Sequence, residues 1–319
     1  MRWKNCLEDK DKIPLLVVCG PTASGKTRLA VDLAKRFGGE VVNADSMQVY
    51  RKMNIGTAKP TAAEMDGVAH HLLDFLQPDE EFSVAAYVKL AREAVKEIAS
   101  RGKLPILAGG TGLYIHSLID NIQFEEIKED PAVRAELAQM LKVHGEEHVW
   151  ELLHECDPEI AAKLHPNNRG RVLRALEVYT LTGTPMSVWQ KEAKSHPSPY
   201  RLCMIGLNFL SREALYSRID TRVEEMLKAG LLQETQALLE GGYSKTAMQA
   251  IGYKELFGYL RGETPLPQAV ETLKMQTRRY AKRQLTWLRR DERIQWLEVD
   301  GFLRYELLLE AACGLVTPF

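Results

Sequence analysis

The chain has 319 residues, 45% of them hydrophobic, and a formal net charge of -1. This suits one large globular domain or two smaller ones, and no apolar run reaches the roughly 18 residues of a membrane span. Cys6, Cys19, Cys156, Cys203 and Cys313 are odd in number and never spaced Cys-x-x-Cys, which argues against a disulfide framework and a zinc site and fits a reducing cytoplasm.

Met1 to Lys12 is charged and lacks the apolar core of a signal peptide. Ile13–Val18 is apolar and partly β-branched, and reads as a buried strand. Gly20 to Thr27 follows as Gly-Pro-Thr-Ala-Ser-Gly-Lys-Thr, which fits the phosphate-cradling pattern G-x-x-x-x-G-K-[ST]. Thr27–Phe37 then carries Leu29, Ala30, Leu33, Ala34 and Phe37 at helical spacing. Gly20 and Gly25 let backbone N–H groups turn toward an anion at a helix N-terminus. Lys26 adds charge for terminal phosphates, and the Thr27 hydroxyl suits Mg²⁺. The motif implies a phosphorylated ligand.

Glu40–Asn43 and Leu104–Ala108 are further strands, with a helix over Ser83–Ser100 between them. Ser83 is its N-cap and Gly102 its stop. Such alternation implies a parallel α/β sheet with ligand sites at strand C-termini. Asp45 follows one such end. Its carboxylate suits a general base or a Mg²⁺-linked ligand, and equally a solvated Asp in an Asx-turn. Gly109-Gly110-Thr111-Gly112 follows another end, where Thr111 could reach a substrate heteroatom or the glycines could serve a plain turn. His70 and His71 read as structural.

From Asp130 to about Thr182 the pattern is helical, with Asp130-Pro131 and Asp157-Pro158 each placing Pro at a first helical position. Glu192 to Pro199 reads as a linker, Arg201–Leu207 as a returning strand, and the rest as helices to about Arg290. The expectation is an α/β core of residues 1–118 and 199–319 carrying an all-helical insertion, 119–198. Arg171 and Arg174 share a helix face there, placed to fork to phosphates or base edges, or to pair with Glu177. Further on, Arg278, Arg279, Lys282, Arg283, Arg289, Arg290 and Arg293 fall within an arc of roughly 140° if one helix holds them all. A cationic face of that kind suits a phosphate backbone; the alternative is a solvated face paired with acids elsewhere.

Seven segments occur in a telling order: Gly-Pro-Thr-Ala-Ser-Gly-Lys-Thr (20–27), Asp-Ser-Met-Gln-Val-Tyr (45–50), Ile-Gly-Thr-Ala-Lys-Pro (55–60), Gly-Gly-Thr-Gly-Leu-Tyr (109–114), Arg-Ala-Leu-Glu (174–177), Ile-Gly-Tyr-Lys-Glu (251–255) and Thr-Arg-Arg-Tyr-Ala-Lys-Arg-Gln (277–284). Over about residues 13 to 297 the chain closely resembles the bacterial tRNA dimethylallyltransferases, also called tRNA isopentenyltransferases. The resemblance implies a phosphate-loop NTPase-like parallel sheet flanked by helices. It also implies transfer of a dimethylallyl group from dimethylallyl diphosphate to N6 of adenosine 37, beside the anticodon, in a cytoplasmic, monomeric enzyme that uses Mg²⁺ and no membrane.

Carried onto matching positions, Asp45 resembles the base that accepts the N6 proton. Gly20, Thr22, Ala23, Ser24, Gly25, Lys26 and Thr27 resemble the diphosphate cradle, with Thr27 at the metal. Arg222 looks like an additional diphosphate-binding arginine, and Thr111 like a contact to the target adenosine. Asp45, Ser46, Met47, Gln48, Thr111, Arg134, Gly170, Arg171, Arg174, Arg278, Lys282 and Arg283 look like tRNA contacts. Two departures stand out. The chain lacks the C-terminal Cys₂His₂ finger of eukaryotic relatives, which points to the bacterial form. Asn54 stands where the family usually has Asp, so no catalytic role is assigned there. Free adenylate as acceptor, a phosphate-loop kinase and a non-catalytic RNA-binding protein are the competing readings. The first leaves the insertion and the basic helix without a use, and the last leaves the phosphate loop and Asp45 unexplained.

Overall fold

The computed structural model describes residues 12–124 and 130–316; the N-terminal segment and the last three residues, on which two of the readings above rest, lie outside them. The chain divides into two compact units, Met1–Ile119 with Pro199–Phe319, and Asp120–Ser198. In the first, β1 (Ile13–Cys19), α1 (Lys26–Phe37), β2 (Gly39–Asn43), α2 (Ala62–Met65), β3 (His70–His71), α3 (Val84–Ser100), β4 (Leu104–Gly109) and α4 (Gly112–Ile119) come in turn. The second holds α5 (Pro131–Cys156), α6 (Pro158–Ala161), α7 (Arg169–Thr182) and α8 (Met186–Ala193). The first unit then resumes with β5 (Tyr200–Asn208), α9 (Arg212–Lys228), α10 (Leu231–Gly241), α11 (Lys254–Leu260), α12 (Leu266–Leu288), β6 (Ile294–Glu298) and α13 (Tyr305–Val316).

The six strands form one parallel sheet in the order β3-β2-β4-β1-β5-β6. A parallel strand covered on both faces needs apolar residues on both, and β1 shows why its sequence has no polar break. Leu15, Val17 and Cys19 face Val88, Ala91 and Val95 of α3 with Ile115 and Leu118 of α4. Leu16 and Val18 face Leu29 and Leu33 of α1 with Leu308 and Ala312 of α13. The chain leaves β1 toward β2 and leaves β5 toward β6, on opposite sides. The crevice at the C-terminal ends of β1 and β5 is therefore the switch point where ligands bind in open α/β sheets. The loop 20–25 occupies it.

Within the second unit, α5 packs on α7 through Leu137, Val149, Leu153, Val172, Ala175 and Leu176. Asp130 Oδ1 accepts the Ala132 N–H (2.8 Å) and Asp157 Oδ1 the Ile160 N–H (3.1 Å), so both Asp-Pro pairs open helices. Gly145 (φ 85°) interrupts α5.

The strands Ile13–Val18, Glu40–Asn43, Leu104–Ala108 and Arg201–Leu207 all form, each within a residue of its expected ends. The basic helix does not extend to Arg293. It stops at Leu288, because Asp291 accepts the Arg293 backbone N–H (3.0 Å) and its guanidinium, turning the chain into β6. Arg293 therefore leaves the cationic face.

Glu40 at the start of β2 is buried, and accepts from Arg101 (2.7 and 2.8 Å), Lys103 (2.7 Å) and His71 Nε2 (2.7 Å). It ties β2 to the end of α3 and to β3. The Arg101 hydrogen bonds hold its carboxyl well below the ordinary range, against desolvation. A depressed carboxyl stabilises the fold above the unfolded value of about 4.3 and loses that contribution as pH falls further. Glu40→Gln should cost about 1–3 kcal/mol at pH 7. In urea titrations the gap from the parent should narrow below about pH 4.

Candidate active site

A cavity of about 870 Å³ opens at the switch point and is lined by Thr22, Lys26, Thr27, Asp45, Arg222 and Tyr280 among others. The phosphate loop, the segment after β2, α9 and α12 build much of it, and residues 56–58 and 249–252 complete the lining. Gly25 (φ 87°) starts α1 in the left-handed conformation and lets the loop fold over the sheet. Lys26 is half-buried and donates to the Pro21 carbonyl of its own loop (3.2 Å). Burial lowers its ammonium to about 8; Asp45 opposes that shift and Arg222 adds to it. Arg222 is lowered by the same desolvation, opposed by Glu64 and Asp45. Arg218, one turn earlier on α9, donates Nε to the Ala23 carbonyl (2.9 Å) and also lines the cavity. Cations outnumber carboxylates here, which is the electrostatics of an anion site.

Asp45 forms the Asx-turn of one of its two sequence readings. Its Oδ1 accepts the Met47 N–H (2.9 Å) in an Asx-turn, and its own N–H donates to Asn43 Oδ1 (3.2 Å). The side chain still lines the cavity beside Lys26 and Thr27. Ser46, Met47 and Gln48 line it too. Thr111 does not. Its Oγ1 accepts the Ser46 N–H (3.1 Å) and bonds Tyr280, so it supports the wall from behind. The Gly109–Gly112 glycines admit neighbouring groups rather than an anion: a Cβ at Gly110 would lie 2.1 Å from Gln284 Nε2, and one at Gly112 2.1 Å from the Trp287 ring.

Sequence reasoning missed Arg218, Tyr280 and Gln284. Gln284 is buried, accepts the Thr22 N–H at Oε1 (2.9 Å) and donates from Nε2 to the Gly110 carbonyl (3.0 Å). The Thr22 N–H is therefore spent on the protein, leaving its hydroxyl for a ligand. Burial raises the Tyr280 phenol, which stays protonated. The available signal was spacing: Arg218 stands one turn from Arg222, and Tyr280 one turn from Gln284.

The expected RNA contacts fall in both units. On α12, Arg278 is engaged by Asp220 (2.9 Å), Arg283 lines the cavity, and Lys282 is exposed. In the second unit, Arg134 Nε and Arg174 Nη1 each reach the buried Glu177 at 2.8 Å, while Gly170 and Arg171 are exposed on the first turn of α7.

Fold and site together define a phosphate-loop protein whose cavity sets a carboxylate against a cationic anion cradle. A family model described as IPP transferase matches residues 48–291. The tRNA dimethylallyltransferase of Thermoanaerobacter sp. (strain X514) is 50% identical over 299 residues, 93% of this chain and 95% of that one. The enzyme of that name from Acetivibrio thermocellus is 52% identical over 290 residues, 90% and 92% of the two. Among solved structures, the tRNA isopentenylpyrophosphate transferase of Bacillus halodurans is 44% identical with a TM-score of 0.72, covering 96% of each chain. A eukaryotic dimethylallyltransferase acting on tRNA gives a TM-score of 0.76 at 32% identity, covering 90% of this chain and 74% of that one. The chain belongs to the IPP transferase family.

The lowered Lys26 pKa has a consequence for binding. An anion is gripped by the charged ammonium, so affinity should fall as pH rises through about 8. Calorimetric titration with inorganic pyrophosphate, without added Mg²⁺, should show this decline in the parent protein. In Lys26→Arg, whose guanidinium keeps its charge, the decline should be absent.

Proposed function

We propose that this chain moves a dimethylallyl group from dimethylallyl diphosphate to N6 of adenosine 37, next to the anticodon of a tRNA, and releases diphosphate. One observation carries the reading: Lys26 and Arg222 share a single cavity with Asp45. The C1–O bond of an allylic diphosphate ionises when the departing charge is neutralised, which Lys26, Arg218, Arg222 and the loop N–H groups are placed to do. The N6 lone pair then bonds C1, and Asp45 takes the N6 proton as that bond forms. Adenosine 37 must leave the anticodon-loop stack to enter such a cavity. Exposed Lys282, with Arg171 and its neighbours on α7, would carry the phosphate contacts of the anticodon stem-loop.

Mg²⁺ fits the donor set. Thr27 brings a hard oxygen ligand to the cavity, and among the described residues no three His, Cys, Asp or Glu side chains converge to hold a metal by themselves. A Mg²⁺ at Thr27 would take its remaining ligands from phosphate and water, and would neutralise charge on the leaving group. Among the described residues no helix is long and apolar enough to cross a membrane. A cytoplasmic, monomeric enzyme completes the reading.

The test is transfer of radiolabelled dimethylallyl to an anticodon stem-loop with or without adenosine at position 37, run beside AMP. Label on the adenosine stem-loop is expected; label on AMP alone would overturn the assignment. Asp45→Ala should keep stem-loop binding and lose about 10²-fold or more in turnover. Gln284→Met, which keeps size and removes both loop bonds, should lower turnover about 10–10²-fold by displacing donor from acceptor. Its pyrophosphate affinity should change far less.

A further inference from the structure

The motifs Ile55–Pro60 and Ile251–Glu255 have no part in the chemistry above, yet they pack against each other. Glu234 of α10 joins them. Its Oε1 accepts the N–H of Ile55 (2.9 Å) and Gly56 (3.0 Å) and the Tyr253 hydroxyl (2.7 Å). Its Oε2 accepts the N–H of Asn54 (2.9 Å) and Ile55 (3.0 Å). Three consecutive N–H groups turned to one point make an anion nest, here filled by the protein's own carboxylate and closed to a substrate phosphate. Gly56 is required where the two motifs meet, since a Cβ would lie 2.5 Å from the Tyr253 ring.

The clamped loop then acts on Gln48. Gln48 Nε2 donates to the carbonyls of Thr57 (3.1 Å) and Ala58 (3.0 Å). Carbonyls only accept, so the amide nitrogen must face them and its orientation is settled. The oxygen is the end left for a substrate, and Gln48 lines the cavity beside Asp45. We propose that Glu234, by clamping residues 54–56 and thereby orienting the 57–58 carbonyls, is a positioning residue that makes Gln48 a hydrogen-bond acceptor toward the incoming base. The inference rests on the adenosine reading. An exocyclic amine carries two hydrogens; one goes to Asp45, and the other meets Gln48 Oε1. A base with a carbonyl at that place, as in inosine, sets oxygen against oxygen and is rejected.

The experiment measures binding of anticodon stem-loops carrying adenosine or inosine at position 37 to the parent protein, Glu234→Gln and Glu234→Ala, with inorganic pyrophosphate binding followed in each. The parent should favour adenosine by about ten-fold or more. Both variants should reduce that preference about five-fold, because a released loop lets the Gln48 amide turn over, while pyrophosphate affinity stays within about two-fold. A merely structural role would lower unfolding temperature and leave the preference unchanged. An unchanged preference in the folded variants, or none in the parent, overturns the proposal; should Glu234→Ala not fold, Glu234→Gln decides. Failure of the adenosine reading shows separately, as absent transfer from the parent to the adenosine stem-loop.

Discussion

Two turns at the ends of neighbouring parallel strands must meet at one spacing, and a buried amide on a distant helix sets it. β1 and β4 pair in register to Cys19 and Gly109, so the loops that leave them start side by side. Gln284 bridges the loops, accepting from Thr22 on one and donating to Gly110 on the other. Neither bond is optional, because a buried amide left unpaired costs about 1–3 kcal/mol. Tyr280 and Trp287 lie one turn to either side, against Thr111 and His116. The glycines of the second loop exist so that α12 can come this close. Donor and acceptor walls are thus fixed to one rigid helix rather than to each other.

Electrostatics follows from that enclosure. Lys26 and Arg222 are partly taken out of water by the same walls that position them, and each loses part of its preference for the charged form. Asp45 offsets some of this cost, and a bound anion would offset more. A site strained in this sense favours a ligand whose negative charge grows as the reaction proceeds, since the cations gain most when the leaving group has departed. The phosphate loop then serves a leaving group as well as it serves a nucleotide. The loop alone does not distinguish the two.

What could be read in the sequence had a local cause. β1, its loop and α1 declare themselves through strand length, glycine placement and helical spacing, and Ser83 caps α3 with a bond to Ala86. What stayed hidden depended on contacts far apart in the chain. β3 is two histidines, too short for any period, and exists because Val41 and Val42 offer it an edge. β6 and α13 lie beyond the last strong pattern and are held by β5 and α1. The cationic arc overran its helix because helical geometry says nothing about where Asp291 will turn the chain. Asp45 could be read as a base or as a turn residue, and the fold makes it a turn residue that faces a cavity.

In the second unit the ion pair with Glu177 that the sequence offered is present, and two arginines share it. Glu177 is buried on α7, where an unpaired carboxylate would be costly. Two arginines from two helices answer it, Arg134 from α5 and Arg174 from its own helix. Both arginines remain partly exposed. Held this way, the two side chains would lose little further conformational freedom on meeting any anion. A helix face whose arginines were all unpaired would carry more charge, but would have to order every side chain at the moment of binding.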